Sequence, residues 1–391
     1  MFGKNKTPKK IDNQISNGSL GFIAVKEPSG LDPDSETGNK KRFSLKSLTK
    51  KQKIITSVMA VALIAVGIGT YLFVFNKPKP VAQVAQQAKV EEPPKTTEPS
   101  RLTGLEVPAE YNQRTATGMM IENSPDARPQ SGLKDAGVVY EAVAEGGITR
   151  FLAIFQDNLP EYAGPVRSVR PYYLDFVAPY DAGIAHVGGS GPALQQIKNE
   201  GIKDLDQMIA SNSSVYWREN NRVAPHNMYT NVVKIKELEK QKGWTSNYQG
   251  FVRGGEDKAS PTPNAKSINI KMSSTIYQVN YQYDPASNTY LRNEGGKPHM
   301  DAKSNTQLAP KVLIVPVITR TQDGYYSVYA TVGSGKVLVF QNGTVTEGTW
   351  SKAGRKDQFK FTDATGQPIK LVSGQTWITL ASSSSDVTFA P

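Results

Sequence analysis

Residues 54–75 read IITSVMAVALIAVGIGTYLFVF, 22 consecutive positions without a charge, and this run constrains the chain more than any other feature. At helical rise it spans about 33 Å, against a bilayer hydrocarbon core of about 30 Å. A core helix of that length in a soluble protein keeps a polar side, and this segment has none. A cleaved signal peptide has a short charged region and an apolar run of only about 7–15 residues, whereas 53 residues precede this one. The sequence therefore predicts a single-pass transmembrane helix over 54–75.

Its flanks set the orientation. Lys40, Lys41, Arg42, Lys46, Lys50, Lys51 and Lys53 crowd the N-terminal side, whereas Asn76, Lys77, Pro78, Lys79 and Pro80 follow on the other. The positive-inside rule then keeps the N-terminus in the cytoplasm and sends the rest of the chain out, with Tyr71, Phe73 and Phe75 near the outer interface. The net charge of the 391 residues is +11, but residues 1–53 carry +7 of it, residues 76–100 carry +1 and residues 101–391 carry +3. A basic arm of this kind also suits nucleic acid. Topology and attraction to anionic lipid already account for its position, so the membrane is the expected partner and nucleic acid is not. Residues 1–53 read as a basic, disordered cytoplasmic tail.

Residues 76–100 contain five prolines and no large apolar cluster. They read as a linker that would reach roughly 80 Å in polyproline II geometry, at about 3.1 Å per residue. There is no cysteine, which excludes a disulfide framework, a thiolate metal site, a cysteine nucleophile and a lipid-modified cysteine. The helix over 54–75 is then the expected tether.

From Arg101 the composition turns globular. Ala116–Ile121, Val138–Ala142, Thr149–Phe155 and Gly183–Val187 have strand length and turn-forming borders, while Pro171–Val177, Pro192–Asn199 and Asn231–Lys242 read as helices. Gly201 suits the end of the second helix, Thr230 an N-cap of the third and Gly243 the position beyond its far end. An α/β domain over 101–245 follows. Residues 246–265 are turn-rich and read as a connector. Beyond them the period changes to two, through Ile268–Ile270, Ile276–Tyr283, Val312–Val317, Tyr325–Val332, Val337–Phe340 and Gln375–Leu380, with a hairpin signal at Asn342-Gly343. The expected fold class is α+β with two domains, an α/β layered part followed by a β-rich part over 266–391. Ser382–Ser385 fall near a frayed end, and Trp350 and Trp377 read as core.

Candidate chemistry lies in the loops of the first domain. ENSPDARPQSG carries Glu122, Asp126 and Arg128; VYEAVAEGGITR carries Glu141, Glu145 and Arg150; GPVRSVRPYY carries Arg167 and Arg170; HVGGSGPA carries His186 and Ser190; WRENNRVAPHNMY carries Arg218, Arg222 and His226. A guanidinium offers a planar fork of donors and keeps its charge, so Arg150, Arg167, Arg170 and Arg222 suggest recognition of a carboxylate or phosphate. The competing reading is that they pair with the carboxylates beside them.

In HVGGSGPA, strand, glycine turn and Pro192 at a helix start would present amides to an anion, although a plain structural turn is the simpler explanation of the glycines. His186, His226 and His299 have no metal-ligand spacing, no cofactor motif is present, and a Ser190/His226 nucleophile pair has no pattern behind it. In GKPHMD, a local hydrogen bond suffices to explain His299 and Asp301.

MMIENSPDARPQSGLKDAGVVYEAVAEGGITRFLAIFQ, GPVRSVRPYYLDFVAPYDAGIAHVGGSGPAL and RVAPHNMY, continued by YQYDPASNTYLRNEGGKPHMD and GQTWITL, make the chain similar to the YerB-like bacterial proteins over nearly all of 101–381. The resemblance implies a membrane-tethered, extracytoplasmic protein of the cell envelope, with an N-terminal and a C-terminal domain of unknown function, and supplies no activity. Many members are lipoproteins, and the missing cysteine departs from that pattern. The layout is also similar to that of the LytR-CpsA-Psr transferases, an analogy without shared motifs. It implies that Arg150, Arg167, Arg170 and Arg222 clamp a pyrophosphate, with Glu122 or Asp126 assisting through Mg²⁺.

Two functions follow from these readings. The first is binding of an anionic cell-wall polymer or envelope protein in an arginine-lined cleft formed by Arg150, Arg167, Arg170, Arg222, Glu122, Asp126, His186, Ser190 and His226. The alternative is an enzyme of envelope glycopolymer metabolism acting on a phosphate- or pyrophosphate-linked substrate.

Overall fold

The computed structural model describes residues 49–75 and 96–391, which fall in two compact units, Met1–Lys89 and Val90–Pro391. The basic tail through residue 48 and the linker from 76 to 95 lie outside the described residues. In the first unit, helix α1 (Lys50–Phe75) is 26 residues long, and its stretch Ser57–Val74 is long and apolar enough to cross a membrane. Thr70 Oγ1 donates to the carbonyls of Val66 (2.7 Å) and Gly67 (3.0 Å), so its hydroxyl is satisfied without water.

The second unit is built on two sheets. In chain order the strands are β1 (Thr117–Glu122), β2 (Val138–Val143), β3 (Thr149–Phe155), β4 (Gly183–His186), β5 (Asp204–Asp206), β6 (Ser267–Ile270), β7 (Val279–Asp284), β8 (Thr289–Glu294), β9 (Lys297–Pro298), β10 (Val312–Pro316), β11 (Gly333–Gln341), β12 (Thr344–Lys352), β13 (Lys360–Asp363), β14 (Thr376–Thr379) and β15 (Val387–Ala390). Ten of them form one sheet in the order β13-β12-β11-β10-β14-β2-β3-β1-β4-β5, and five form the other in the order β9-β8-β7-β6-β15. Helices α2 (Pro171–Val177), α3 (Gly191–Glu200) and α4 (Val232–Gln241) all come from the first half of the unit. Helix and strand are mixed in that half, and the second half is strand-rich.

Strands from both halves share the large sheet, because β14 pairs in parallel with β2 from Thr376↔Val138 to Thr379↔Glu141. Residues 246–265 carry no helix or strand but are tied down. Tyr248, Phe251 and Ala265 are buried, and Arg253 donates to the carbonyls of Val372 (2.8 Å) and Leu102 (2.7 Å).

Every residue of β1, β2 and β3 is buried, which explains why these strands read as continuous apolar runs rather than alternating ones. Successive side chains point to opposite faces. Met120, Tyr140, Leu152 and Ile154 join one cluster with Tyr173 and Phe176 of α2 and Ala193 and Ile197 of α3. Met119, Ile121, Val139, Phe151 and Ala153 join the other with Ile268, Val279, Tyr281 and Tyr290 of the five-stranded sheet and Ile235 of α4. Trp350 and Trp377 are both buried.

Local expectations meet the structure unevenly. Gly201 ends α3 in the left-handed region at φ 61°. Asn342 (φ 57°) and Gly343 (φ 76°) turn the β11–β12 hairpin, as a two-residue primed turn requires. The N-cap of α4 is Asn231, whose side chain accepts from Lys234 N, and not Thr230. Thr230 instead ends a short strand, Met228–Thr230. The terminal segment is not a frayed end: Ser383 and Asp386 form a capping box, and β15 pairs with β6. Thr97–Pro99, at the end of the expected linker, pair with Glu106–Pro108.

Candidate functional site

Strands β1 and β4 run parallel and are paired only from Thr117↔Gly183 to Met119↔Ala185. Beyond that point they separate, and the segment 165–169 runs between them. Glu122 N donates to Pro165 O (2.9 Å) and Arg167 N to Met120 O (2.9 Å) on the β1 side, while Val187 N donates to Arg167 O (3.1 Å) and Val169 N to Gly188 O (3.1 Å) on the β4 side. Such splits at the carboxyl ends of parallel strands are where α/β sheets place ligands. Gly189 is required by this close approach, since a Cβ there would stand 2.8 Å from Val169 Cγ1.

Five residues of the sequence-based set, Glu122, Arg150, Arg167, Ser190 and His226, lie at this end. Glu122 ends β1, pairs in register with Arg150 of β3 and is 5% exposed. Its Oε1 lies 3.0 Å from His226 Nδ1, 3.3 Å from Arg167 Nε and accepts from Ser124 Oγ at 3.1 Å. Arg150 Nη1 donates to Ser168 O (2.8 Å), on the inserted segment. Ser190 is the N-cap of α3, and its amide donates to Val169 O (3.3 Å). Glu122 Oε2, Arg150 Nε, Arg167 Nε and Ser190 Oγ are all buried without a hydrogen-bond partner. Arg167 Nε is within ion-pair range of Glu122 but not aligned for a hydrogen bond. Half of the orphaned atoms among the described residues thus lie at one end of one sheet, where buried polar groups ordinarily find partners.

The remaining arginines are committed elsewhere. Arg170 Nε and Nη2 donate to Glu145 Oε2 (2.9 Å) and Oε1 (2.6 Å), and Arg150 Nη2 also contacts Glu145 Oε1. Two guanidiniums therefore close on one carboxylate. Arg222 donates to Asp126 O (3.2 Å) and Pro129 O (2.8 Å), holding the loop after β1. Asp126 itself projects outward, 80% exposed and 4.0 Å from His226 Nε2. His186 is fully buried, with Nε2 3.0 Å from Asp204 Oδ1 and Nδ1 2.8 Å from Gly188 O, so it supports the glycine turn. The four arginines do not line one open cleft. Arg167, 26% exposed, is the one whose guanidinium pairs only with Glu122.

Sequence reasoning missed a second polar cluster on the opposite face. Arg292 Nη2 donates to Glu141 Oε1 (2.9 Å), Nη1 to Tyr281 Oη (2.8 Å) and Nε to His299 Nδ1 (2.9 Å). His299 Nε2 meets Gln130 Oε1 (2.8 Å), and Asp301 Oδ2 accepts from Gly132 N (2.7 Å). His299 is thus fixed by Arg292 and Gln130, whereas Asp301 adds to its long-range bond the local ones expected, its Oδ1 accepting from Lys303 N (3.2 Å) and Ser304 N (3.2 Å). Glu294 accepts from Asn123 Nδ2 (2.6 Å) and pairs with Arg128 Nη2 (3.1 Å). The signal available in the sequence was the run YLRNEG, in which Arg292 and Glu294 share the parity of Tyr290.

Family models match along most of this unit. The model described as the N-terminal domain of a protein of unknown function, DUF3048, matches residues 102–245, and that of its C-terminal domain matches residues 268–378. The chain is 33% identical over 287 residues to YerB, a candidate lipoprotein of Bacillus subtilis (strain 168), covering 71% of this chain and 85% of the relative. It also superimposes on the crystal structure of the YerB protein from Bacillus subtilis with a TM-score of 0.67 at 28% identity, over 75% of this chain and 99% of the other.

Proposed function

Because the chain belongs to the DUF3048 family of YerB-like proteins, whose function is unknown, we propose that it is a membrane-anchored protein of the cell envelope whose large unit lies outside the cytoplasm and binds a hydroxyl-bearing phosphate. Helix α1 is the anchor in this reading, and the basic residues before it hold the N-terminus inside. Membrane association is also the property that a lipoprotein relative would share.

The observation that carries the ligand reading is the set of four orphaned polar atoms at the split between β1 and β4. Arg150 Nε, Arg167 Nε and Ser190 Oγ are donors, and Ser190 is the N-cap of α3, where the helix dipole also favours negative charge. Glu122 Oε2 is an acceptor and calls for a hydroxyl on the same ligand. A phosphate esterified to a polyol or sugar satisfies both demands. Glycerol phosphate is the test ligand. In a binding titration, Arg167→Ala is expected to weaken it about tenfold, roughly 1.4 kcal/mol. Inorganic phosphate, which lacks the alkyl hydroxyls, is expected to bind the parent protein more weakly. Equal affinity of parent and variant would remove Arg167 from the site.

One observation favours catalysis as a second reading. His226 Nδ1 lies 3.1 Å from Ser124 Oγ and 3.0 Å from Glu122 Oε1, which leaves Nε2 as the base. Turnover would be seen as glycerol phosphate released from a glycerol phosphate polymer by the parent protein and not by His226→Ala.

A further inference from the structure

Beside the loop 123–131 lies a cavity of about 470 Å³, lined by Arg128, Pro129, Ile276, Glu294, Lys297 and Met300 among others. That volume is in the range of small-molecule sites. Its floor holds Glu294, whose side chain is 2% exposed. One carboxylate oxygen is occupied: Oε1 takes Asn123 Nδ2 at 2.6 Å and Arg128 Nη2 at 3.1 Å. Oε2 has no hydrogen-bond partner. It lies 3.4 Å from His299 Nδ1, but that nitrogen already accepts from Arg292 Nε and has no proton to give. A buried carboxylate oxygen without a donor is costly, and Glu294 is among the residues that line the cavity.

The rest of the cavity sorts into two kinds of surface. Ile276, 48% exposed, stands with Pro129, Pro298 and Met300 as an apolar wall, and Lys297 adds an exposed positive charge at the mouth. We infer that this cavity binds the free amino end of a short peptide, with the ammonium on Glu294 Oε2, an apolar side chain against Ile276 and Met300, and the carboxylate end toward Lys297. Hydrogen bonds between ionised partners are roughly twice as strong as neutral ones, so an ammonium serves Glu294 better than an amide. Arg128, whose guanidinium also donates to Asn123 and Ile276 O, closes one side.

The site carries a pH signature. Burial pushes the Glu294 carboxyl up, to about 7, with Arg292 opposing, Glu141 adding to the rise, and Arg128 and Asn123 opposing. His299 is kept neutral by its burial and by Arg292 and Arg128, and Tyr277 and Lys297 complete the groups around it. An ammonium binds the ionised carboxylate, so affinity is gained as pH rises through about 7 and lost as it falls below.

The test is calorimetric titration of the full chain in detergent micelles with the dipeptide alanyl-leucine and its N-acetylated form. The free dipeptide is expected to bind about tenfold more tightly than the acetylated one, and about tenfold more tightly at pH 7.5 than at pH 5.5. Glu294→Gln is expected to abolish the preference for the free amine, and Lys297→Ala, at an exposed position, to weaken the free dipeptide severalfold. Failure of the folded parent to bind the dipeptide, equal binding of the acetylated form, or unchanged binding by either variant would overturn the assignment. The comparison of the two ligands on the parent protein decides the matter even if Glu294→Gln folds poorly.

Discussion

Replacing Arg292 by methionine is expected to cost about 3–5 kcal/mol of folding stability in the Val90–Pro391 unit, the range found when one member of a buried ion pair is removed. Arg292 and Glu141 are both fully buried. Arg292 also lies over the Trp377 ring at 4.6 Å and the Tyr281 ring at 5.4 Å. Burial works against its charge, but Glu141, Tyr281 and Glu294 outweigh it and hold the proton more tightly than usual. The methionine fills much of the volume but strands the Glu141 carboxylate, with Thr379 Oγ1 at 3.3 Å as its remaining side-chain donor. The double variant Glu141→Gln with Arg292→Met leaves no unpaired charge and is expected to be more stable than Arg292→Met alone. Urea unfolding checks both, through the midpoint at constant slope. A loss below about 1 kcal/mol in the single variant would contradict the pairing.

The second large effect concerns the guanidinium pair. Arg150 and Arg170 have side-chain exposures of 4% and 9%, and Glu145, at 25%, is the carboxylate on which both close. Burial is the main cause that loosens the Arg150 proton, the neighbouring Arg170 charge adds to it, and Glu145 opposes both. Glu145→Ala leaves two adjacent buried cations without a counter-ion. A loss of about 2–4 kcal/mol is expected, discounted from the fully buried case because Glu145 is partly solvated. The freed forks should then accept an anion. Sulfate is expected to recover about 1 kcal/mol in the variant, and little in the parent, relative to chloride at the same ionic strength. Equal responses to sulfate would show that the two arginines do not depend on Glu145.

These two clusters mark where the sequence was and was not legible. The strands β1 to β4 and the helices α2 to α4 were readable because their signals are local: apolar runs, Pro at helix starts, Gly at helix ends. The segments that carry Glu122, Arg150, Arg167, Ser190 and His226 were readable as polar stretches bounded by Gly and Pro, although Glu122 and Arg150 belong to strands β1 and β3. Their grouping was not, since it depends on the segment 165–169 entering between β1 and β4, a long-range pairing without a period.

Arg292 was hidden for a different reason. In β8 the buried positions are Tyr290, Arg292 and Glu294, so the parity that turns Tyr290 inward buries the arginine with it, although Leu291 is the more apolar neighbour. Glu141, on a strand about 150 residues away in sequence, with Tyr281 and His299, makes a buried arginine favourable there. The shared sheet was hidden likewise, because the pairing of β14 with β2 leaves no trace in either segment.

A phosphate ligand at the split between β1 and β4 would lie beside one histidine and away from another. Three histidines report on separate places: His226 beside Glu122, His186 beneath the glycine turn and His299 in the Arg292 cluster. The most direct measurement is the imidazole NMR signals of histidine-labelled protein during a glycerol phosphate titration. The His226 signal is expected to move the most, in a saturable way and with the same affinity as the binding titration, while His299 stays in place. Saturable binding that moves His299 and leaves His226 unchanged, or that moves neither, would contradict it.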